Sequence, residues 1–315
     1  MNNAQVLVLA GGLSYEREVS LRSGGRVLDA LGLAGFDAQQ RDADAALLPA
    51  LALARPDMVL IALHGATGED GSLRGVLELA GVPYIGPDAR AARRAWDKPT
   101  AKAVIRDAGL PTPDWVTLTQ ETFSELGANS LMKRVIDTLD LPLMVKPAQG
   151  GSGFGAQIVR AAEELPAAMV NCFSYGKTAL IEKYVTGVDI AVSIIDTGDG
   201  PNPLPAVEIV PPNGIYDYAA RYTAGVTTWH TPARLAPEVS SQVAKIAVTA
   251  YQALGLRDLS RIDLIVDAEG GVHFLEANVS PGLTETSLVP MAIEAAGLDF
   301  GEVMGLLVEQ AARRG

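Results

Sequence analysis

A single cysteine, Cys172, stands in a chain of 315 residues, so no internal disulfide can form, which fits a reducing compartment. Its side chain is expected simply to fill space. Histidine is nearly as scarce: His64, His230 and His273 lie far apart and lack zinc-type spacing with the cysteine, so any metal should be held by oxygen. No apolar run approaches the roughly 18 residues of a membrane span, and the stretch after Met1 lacks the basic start and cleavage pattern of a secretory signal. The expectation is a cytoplasmic protein without a membrane partner. Positive charge is in deficit as well. Against 25 Lys and Arg stand 37 Asp and Glu, a net charge of -12 with no basic cluster, which argues against a nucleic-acid partner.

What remains is an ordinary soluble composition, 48% hydrophobic and 20% charged, in a length that suits two or three packed domains. The apolar runs Val6 to Leu9, Met58 to Leu63 and Val82 to Ile85 alternate with helix-like stretches at Ser20 to Leu33 and Leu73 to Ala80, predicting a parallel βαβ unit. Prolines 83, 87, 99, 111 and 113 then punctuate the chain and place a boundary near Asp97. A second unit reads helix (Thr100 to Ala108), strand (Leu143 to Pro147), glycine-rich turn, strand (Ala156 to Val159), helix (Ala162 to Cys172) and strand (Ala179 to Tyr184). A third begins with a strand at Asp189 to Ile195. It continues through a Pro-, Gly- and Tyr-rich stretch at 201–232, long enough for a lid or binding loop, to a helix at Val239 to Leu254 and strands at Arg261 to Val266 and Val272 to Ala277.

Between two of these strands, Lys146-Pro147-Ala148-Gln149-Gly150-Gly151-Ser152-Gly153-Phe154-Gly155 combines four glycines with a serine and a preceding lysine. Such a turn serves either as a phosphate cradle, its amides converging on an anion, or as a flexible hairpin; it lacks the ending of a P-loop. Further on, period-two alternation puts Arg261 and Asp263 on one face of a strand, and Glu276 and Asn278 on one face of the next. If the faces coincide, three oxygen ligands of the kind that suits Mg²⁺ meet a guanidinium; the alternative is cross-strand ion pairing. Ile262, Leu264, Phe274 and Ala277 would then form the buried opposite face. The turn Val279 to Leu288 leads into a helix, where amides at the start bind carboxylates or phosphates, although Thr284 or Thr286 could equally cap it. Gly11 to Ser20 follows the first strand, where doubly wound folds place ligand loops, without a Gly-x-Gly-x-x-Gly pattern. His64 to Gly71 occupies an equivalent turn and holds one histidine, two acids and three glycines.

In this order, the motifs resemble those of the D-alanine-D-alanine ligase family of the ATP-grasp superfamily, over Gly11 to about Pro290. The resemblance rests on Gly11-Gly12-x-Ser14-x-Glu16-x-x-Val19-Ser20, His64-Gly65 with Gly68-Glu69-Asp70-Gly71, Val145-Lys146-Pro147, Ile181-Glu182-Lys183, Tyr216-Asp217-Tyr218, Arg261-Ile262-Asp263, and Glu276-Ala277-Asn278 through Ser280-Pro281-Gly282.

The resemblance implies an α/β, mixed α+β, three-domain ATP-grasp fold. Residues 1–97 would form a Rossmann-like, parallel-sheet substrate domain, 98–182 the central subdomain, and 183–315 a carboxy-terminal subdomain with lid and metal site. It implies ATP and two Mg²⁺ ions, with Mn²⁺ as a substitute. Lys98, Lys146, Gly151, Ser152 and Arg221 would meet the phosphates; Glu182, Lys183, Tyr184 and Val185 the adenine; Asp189 the ribose; and Asp263, Glu276 and Asn278 the metal. Glu16, with His64 orienting it or capping its own loop, would hold the first amino acid, and Ser287 with Leu288 the second. Arg261 and the Gly282 amide would stabilise developing charge, and Ser152, Tyr222 and Glu16 would join the lid to the first domain. The implied activity is ATP-dependent formation of D-alanyl-D-alanine for peptidoglycan precursors by a homodimer. Alternatives are a paralogous ligase with another small amino or hydroxy acid and a non-catalytic nucleotide-binding module. Departures from the family pattern, Ala219, Arg221, Gln149-Gly150 and Gly153, fall in the lid and glycine loop.

Overall fold

The computed structural model describes residues 4–212, 214, 216, 220, 221, 223 and 225–314. The chain opens with strand β1 (Gln5–Leu9), helix α1 (Arg17–Leu33), β2 (Asp37–Arg41), α2 (Leu47–Leu53) and β3 (Met58–Ile61). Central β1 pairs in parallel with β2 on one side and β3 on the other. Val6, Val8, Met58 and Leu60 enter one core while Leu9, Val59 and Ile61 enter another. A sheet covered on both faces reads as a continuous apolar run, which is why this unit was visible in the sequence. Val82 to Ile85, by contrast, is not a strand. Tyr84 makes one isolated parallel bridge to Val59, because Pro83 has no N–H for the ladder and the chain turns at Gly86, φ 107°.

Four helices follow: α3 (Ala66–Glu69), α4 (Ser72–Leu79), α5 (Ala89–Trp96) and α6 (Lys98–Asp107). The last begins where the sequence places a boundary. The Asp97 side chain caps it, accepting from the Thr100 amide at 3.0 Å, and Pro99 occupies its first turn.

A second, antiparallel sheet runs in the order β4-β7-β5-β6, from β4 (Trp115–Thr119), β5 (Leu143–Pro147), β6 (Gln157–Val159) and β7 (Thr178–Lys183). Helices α7 (Gln120–Glu125), α8 (Ala128–Leu139) and α9 (Leu165–Phe173) accompany it. Val145 and Ile181 pack with Leu165, Met169 and the buried Cys172.

The third sheet has six strands: β8 (Gly187–Ile195), β9 (Asn202–Pro203), β10 (Val207–Val210), β11 (Thr228–His230), β12 (Leu259–Asp267) and β13 (Val272–Asn278). Its main order is β11-β10-β8-β12-β13, with β9 beside β8. Thus the stretch at 201–232, expected to be one long loop, supplies among its described residues three short strands on the β8 side of the sheet. Helix α10 (Pro237–Leu254) covers one face, where even-numbered Ile190, Val192, Ile194, Ile262, Leu264 and Val266 are buried. Odd-numbered Asp189, Arg261 and Asp263 belong to the opposite face.

Helices α11 (Leu288–Ala295) and α12 (Phe300–Ala312) return the chain to the first sheet, placing Ile293, Met304 and Leu307 in the same core as Val6 and Leu60. Arg314 makes a two-point ion pair with buried Asp258 at 2.5 and 2.6 Å, and Asp258 also accepts the Gly86 amide at 2.7 Å. Among the described residues, no helix is long and apolar enough to cross a membrane.

Candidate active site

The polar faces of β12 and β13 do coincide. Arg261 is the cross-strand partner of Asn278, and Asp263 that of Glu276. The register then shifts, so that Leu264 pairs with Phe274 and Leu275 is the extra residue of a bulge. That irregularity lets Phe274 reach full burial beneath the sheet while Glu276 stays above it. Arg261 clasps Asp263 with two bonds, Nε to Oδ1 at 2.6 Å and a terminal nitrogen to Oδ2 at 2.7 Å. Burial works against the guanidinium's charge, but the Asp263 carboxylate outweighs it and holds the proton on.

These strands form one wall of a cleft of about 480 Å³ between the second and third sheets. The opposite wall comes from β5, β7 and the glycine turn. Lys98, at the first turn of α6, donates to the Gly150 carbonyl at 2.6 Å and lies 3.5 Å from Glu276. Burial would raise the Glu276 carboxyl; Lys98, then Lys146, then Arg221 and Arg261 hold it down to about 2. Lys146 pairs with Glu182 at 2.5 Å. Buried Glu182 therefore stays ionised, burial being outweighed by Lys146 and by Lys102, which pairs with its other oxygen at 2.8 Å. Lys183, Tyr184, Val185, Asp189 and Arg221 line the same cleft, as do Gly151 and Phe154. Asp189, on β8, is pushed up to about 6 by burial and by neighbouring Asp263, against Arg221 and Lys146.

A second cluster stands near enough to the first for the Arg261 charge to act on His64. Ser152 donates its hydroxyl to Glu16 across the gap between the glycine turn and the β1–α1 loop. Its backbone is held at φ 52°, a conformation seldom adopted by a residue with a side chain and one that collects at functional sites. His64 is buried; its Nδ1 lies 3.0 Å from the Ser280 carbonyl and its Nε2 lies 3.4 Å from the Ser23 hydroxyl. Burial lowers its proton affinity despite the Glu16 carboxylate, so the ring is neutral. The Ser287 hydroxyl accepts the Thr284 amide at 3.0 Å, and the Cβ that Gly282 lacks would lie 2.8 Å from that same oxygen. Leu288 follows, buried at the start of α11. Tyr222, Asp217, Tyr218 and Ala219 lie outside the described residues.

Three further buried groups join the site: Lys102 and Arg74, which the motifs do not include, and Glu69, which lies in the His64 to Gly71 motif without an assigned role. Lys102 is wholly enclosed; burial lowers it to about 8 although Glu182 opposes the shift. Its position one helical turn after Lys98 was the available signal. Glu69 accepts the Gly65 amide at 2.8 Å and is raised to about 8, first by burial and then by Glu16. Arg74 donates to the carbonyls of Gly68 and Val279, tying the His64 loop to the end of β13.

As a metal site, Asp263, Glu276 and Asn278 offer an all-oxygen donor set. Both carboxylates keep acceptor sites beyond their bonds to Arg261 and Lys98, and the acidity of Glu276 keeps it ionised. Among the described residues, no group of three or more His, Cys, Asp or Glu side chains is gathered for a metal. The predicted set contains two such acids and one amide, and it fits a hard cation that shares its shell with phosphate oxygens.

Two family models match the chain: the one described as D-ala D-ala ligase C-terminus over residues 104–309, and D-ala D-ala ligase N-terminus over residues 36–87. A D-alanine-D-alanine ligase from Bordetella avium is 42% identical over 299 residues, 95% of this chain and 92% of that protein. The D-alanine-D-alanine ligase from Bacillus anthracis complexed with ATP is 29% identical, covers 99% of this chain and 98% of that one, and superposes with a TM-score of 0.80. VanG D-Ala:D-Ser ligase from Enterococcus faecalis gives a TM-score of 0.84 at 27% identity, over 98% of this chain and 99% of that one.

Proposed function

The chain belongs to the D-ala D-ala ligase family, and from that premise we propose that it joins two D-alanines in an ATP-dependent reaction that supplies peptidoglycan precursors in the cytoplasm. The observation that carries this reading is the cross-strand pairing of Arg261 with Asn278 and of Asp263 with Glu276, the latter two lining a cleft that also holds Lys98 and Lys146.

A carboxylate does not react with an amine near neutral pH because oxide is a poor leaving group. One D-alanine therefore attacks the γ-phosphorus of ATP through a carboxylate oxygen, ADP leaves, and an acyl phosphate forms. The amine of the second D-alanine, having given one proton to solvent, attacks the acyl carbon; phosphate departs with the original carboxylate oxygen and takes the second proton from the nitrogen. Both transition states concentrate negative charge beside Lys98, Lys146 and Arg261, whose charges are already in place. Asp263, Glu276 and Asn278 would hold two Mg²⁺ ions, for which Mn²⁺ can substitute, and these would supply further positive charge to the phosphoryl oxygens when bound.

The remaining assignments follow the same division. Glu182, Lys183, Tyr184 and Val185 receive the adenine and Asp189 the ribose; Gly151, Ser152 and Arg221 attend the phosphates. Glu16, positioned beside neutral His64, takes the first ammonium, and Ser287 with the Leu288 amide takes the second carboxylate. The Gly282 amide faces the developing oxyanion, and Ser152, Tyr222 and Glu16 bind lid to substrate loop. Residues 1–97, 98–182 and 183–315 act as substrate unit, central ATP-grasp unit and carboxy-terminal ATP-grasp unit. The protein acts as a homodimer, which light scattering on the intact protein reads directly, a monomer mass contradicting it.

The test is a panel of D- and L-amino acids, including D-serine as acceptor, incubated with Mg-ATP while phosphate and ligated product are measured. D-alanine alone should give one phosphate per dipeptide, and Glu276→Ala should abolish it. Turnover confined to another acceptor, or nucleotide binding without turnover, would contradict the reading.

A further inference from the structure

The glycine turn poses a physical problem that the catalytic assignments leave open. Gly150, Ser152, Gly153 and Gly155 take φ values of 136°, 52°, 71° and 70°, so much of the turn is in a conformation that only glycine adopts without strain. Such a segment loses more freedom on ordering than any other, and an unanchored one would not stay over a phosphate. Lys98 holds the Gly150 carbonyl and Glu16 the Ser152 hydroxyl, and the turn's aromatic anchor is Phe154. Its ring lies between Tyr15 and Tyr175, with centroids 5.6 Å from each, tilted 52° to the first and stacked at 20° on the second. Gly155 admits the Tyr175 ring, since a Cβ there would stand 2.9 Å from its Cδ2.

Tyr15 is 83% exposed. A ring left so far in solvent contributes little to a core, which directs attention to its one described ring contact. It also adjoins Glu16, the acceptor of the Ser152 hydroxyl. The turn is thus tied at two positions one residue apart, 152 and 154, to two successive residues of the β1–α1 loop, and Phe154 itself lines the nucleotide cleft.

We propose that Tyr15, Phe154 and Tyr175 are positioning residues: an aromatic bracket that seats the glycine turn over the nucleotide phosphates and couples nucleotide binding to the pocket around Glu16. The inference rests on the reading of the cleft as an ATP site. With the bracket intact, bound ATP holds the turn against the amino-acid pocket and water is kept from the acyl phosphate.

A double-mutant cycle tests the bracket without relying on ligation. The dissociation constant of a non-hydrolysable ATP analogue with Mg²⁺ is measured for the wild type, Tyr15→Ala, Phe154→Ala and the double variant, with thermal unfolding as a folding check. Each single variant should weaken binding by about 3- to 10-fold, the worth of one aromatic pair, and the double variant should be little worse than Phe154→Ala alone. Tyr15→Phe should bind as the wild type does. Phosphate release should exceed dipeptide formation in the alanine variants. Additive effects in the cycle, or unchanged binding in both single variants, would overturn the bracket even if the wild type makes dipeptide. Normal coupling in a wild type that makes none would instead strike the ligase reading, and no nucleotide binding at all would overturn both.

Discussion

Lys102 shows what a single enclosed charge does here. Its ammonium is shared between Glu182 and the Thr112 hydroxyl, at 2.8 and 2.6 Å, and lies over the Trp115 ring at 5.1 Å. Removing one member of a buried ion pair leaves the other uncompensated, though Glu182 would retain Lys146. Lys102→Met should therefore destabilise the protein by about 3 kcal/mol in urea unfolding and raise the KM for ATP, because Glu182 would swing toward Lys146. Unchanged stability would show that the pair contributes nothing. Glu69 gives a pH dependence. Its carboxyl moves from an ordinary 4.5 to about 8 on burial beside Glu16. Between those values the folded protein keeps a proton that the unfolded chain has lost, so this group's stabilising contribution is full below pH 4.5 and disappears as pH rises through 8. Glu69→Gln should gain on the wild type from pH 5 to pH 8, on the order of 3 kcal/mol at most. A constant difference across that range would contradict the assignment. Glu69 stood in a sequence motif and Lys102 one turn after Lys98, but the shift of neither was legible in the sequence, since burial and a neighbour distant along the chain create both effects. Arg261, Asp263, Glu276 and Asn278 were legible because period two fixes their faces locally.

At the level of elements, the β12–β13 hairpin carries the site through its bulge. Phe274, fully buried on the helix-covered face, fixes the strand from below while Glu276, two residues on, projects from above. Phe274→Ala should lose about 3–5 kcal/mol of stability, and the surviving folded fraction should show weaker Mg-ATP dependence because Glu276 loses its register. Full activity at saturating Mg-ATP would separate the bulge from the site. The sequence announced this hairpin and β5 through apolar alternation. It did not announce β4 or β10, whose short segments depend on neighbouring strands that no local pattern specifies. It also suggested a strand at Val82 to Ile85, where Pro83 limits the chain to one bridge. The glycine turn stood out in the sequence, as either an anion cradle or a flexible hairpin, but its aromatic anchor did not, because Tyr15, Phe154 and Tyr175 meet only in the folded chain.

For the molecule as a whole, three sheets share their surroundings without merging. The last two helices return to the first sheet, and Arg314 locks Asp258, which in turn holds Gly86. The cleft proposed for the nucleotide lies between the second and third sheets, while from the first sheet Glu16 meets Ser152 of the glycine turn and His64 meets the Ser280 carbonyl after β13. That arrangement suits a reaction in which a carboxylate must meet a γ-phosphate and then an amine, with water kept out of both encounters. The account stands on transfer of the phosphoryl group to the carboxylate, and isotope transfer follows that step atom by atom. D-Alanine labelled with ¹⁸O in its carboxylate is incubated with the enzyme and Mg-ATP, and the released phosphate is analysed by mass spectrometry. Each phosphate formed along with dipeptide should carry one carboxylate oxygen. Dipeptide accompanied by unlabelled phosphate would contradict an acyl phosphate and the account built on it.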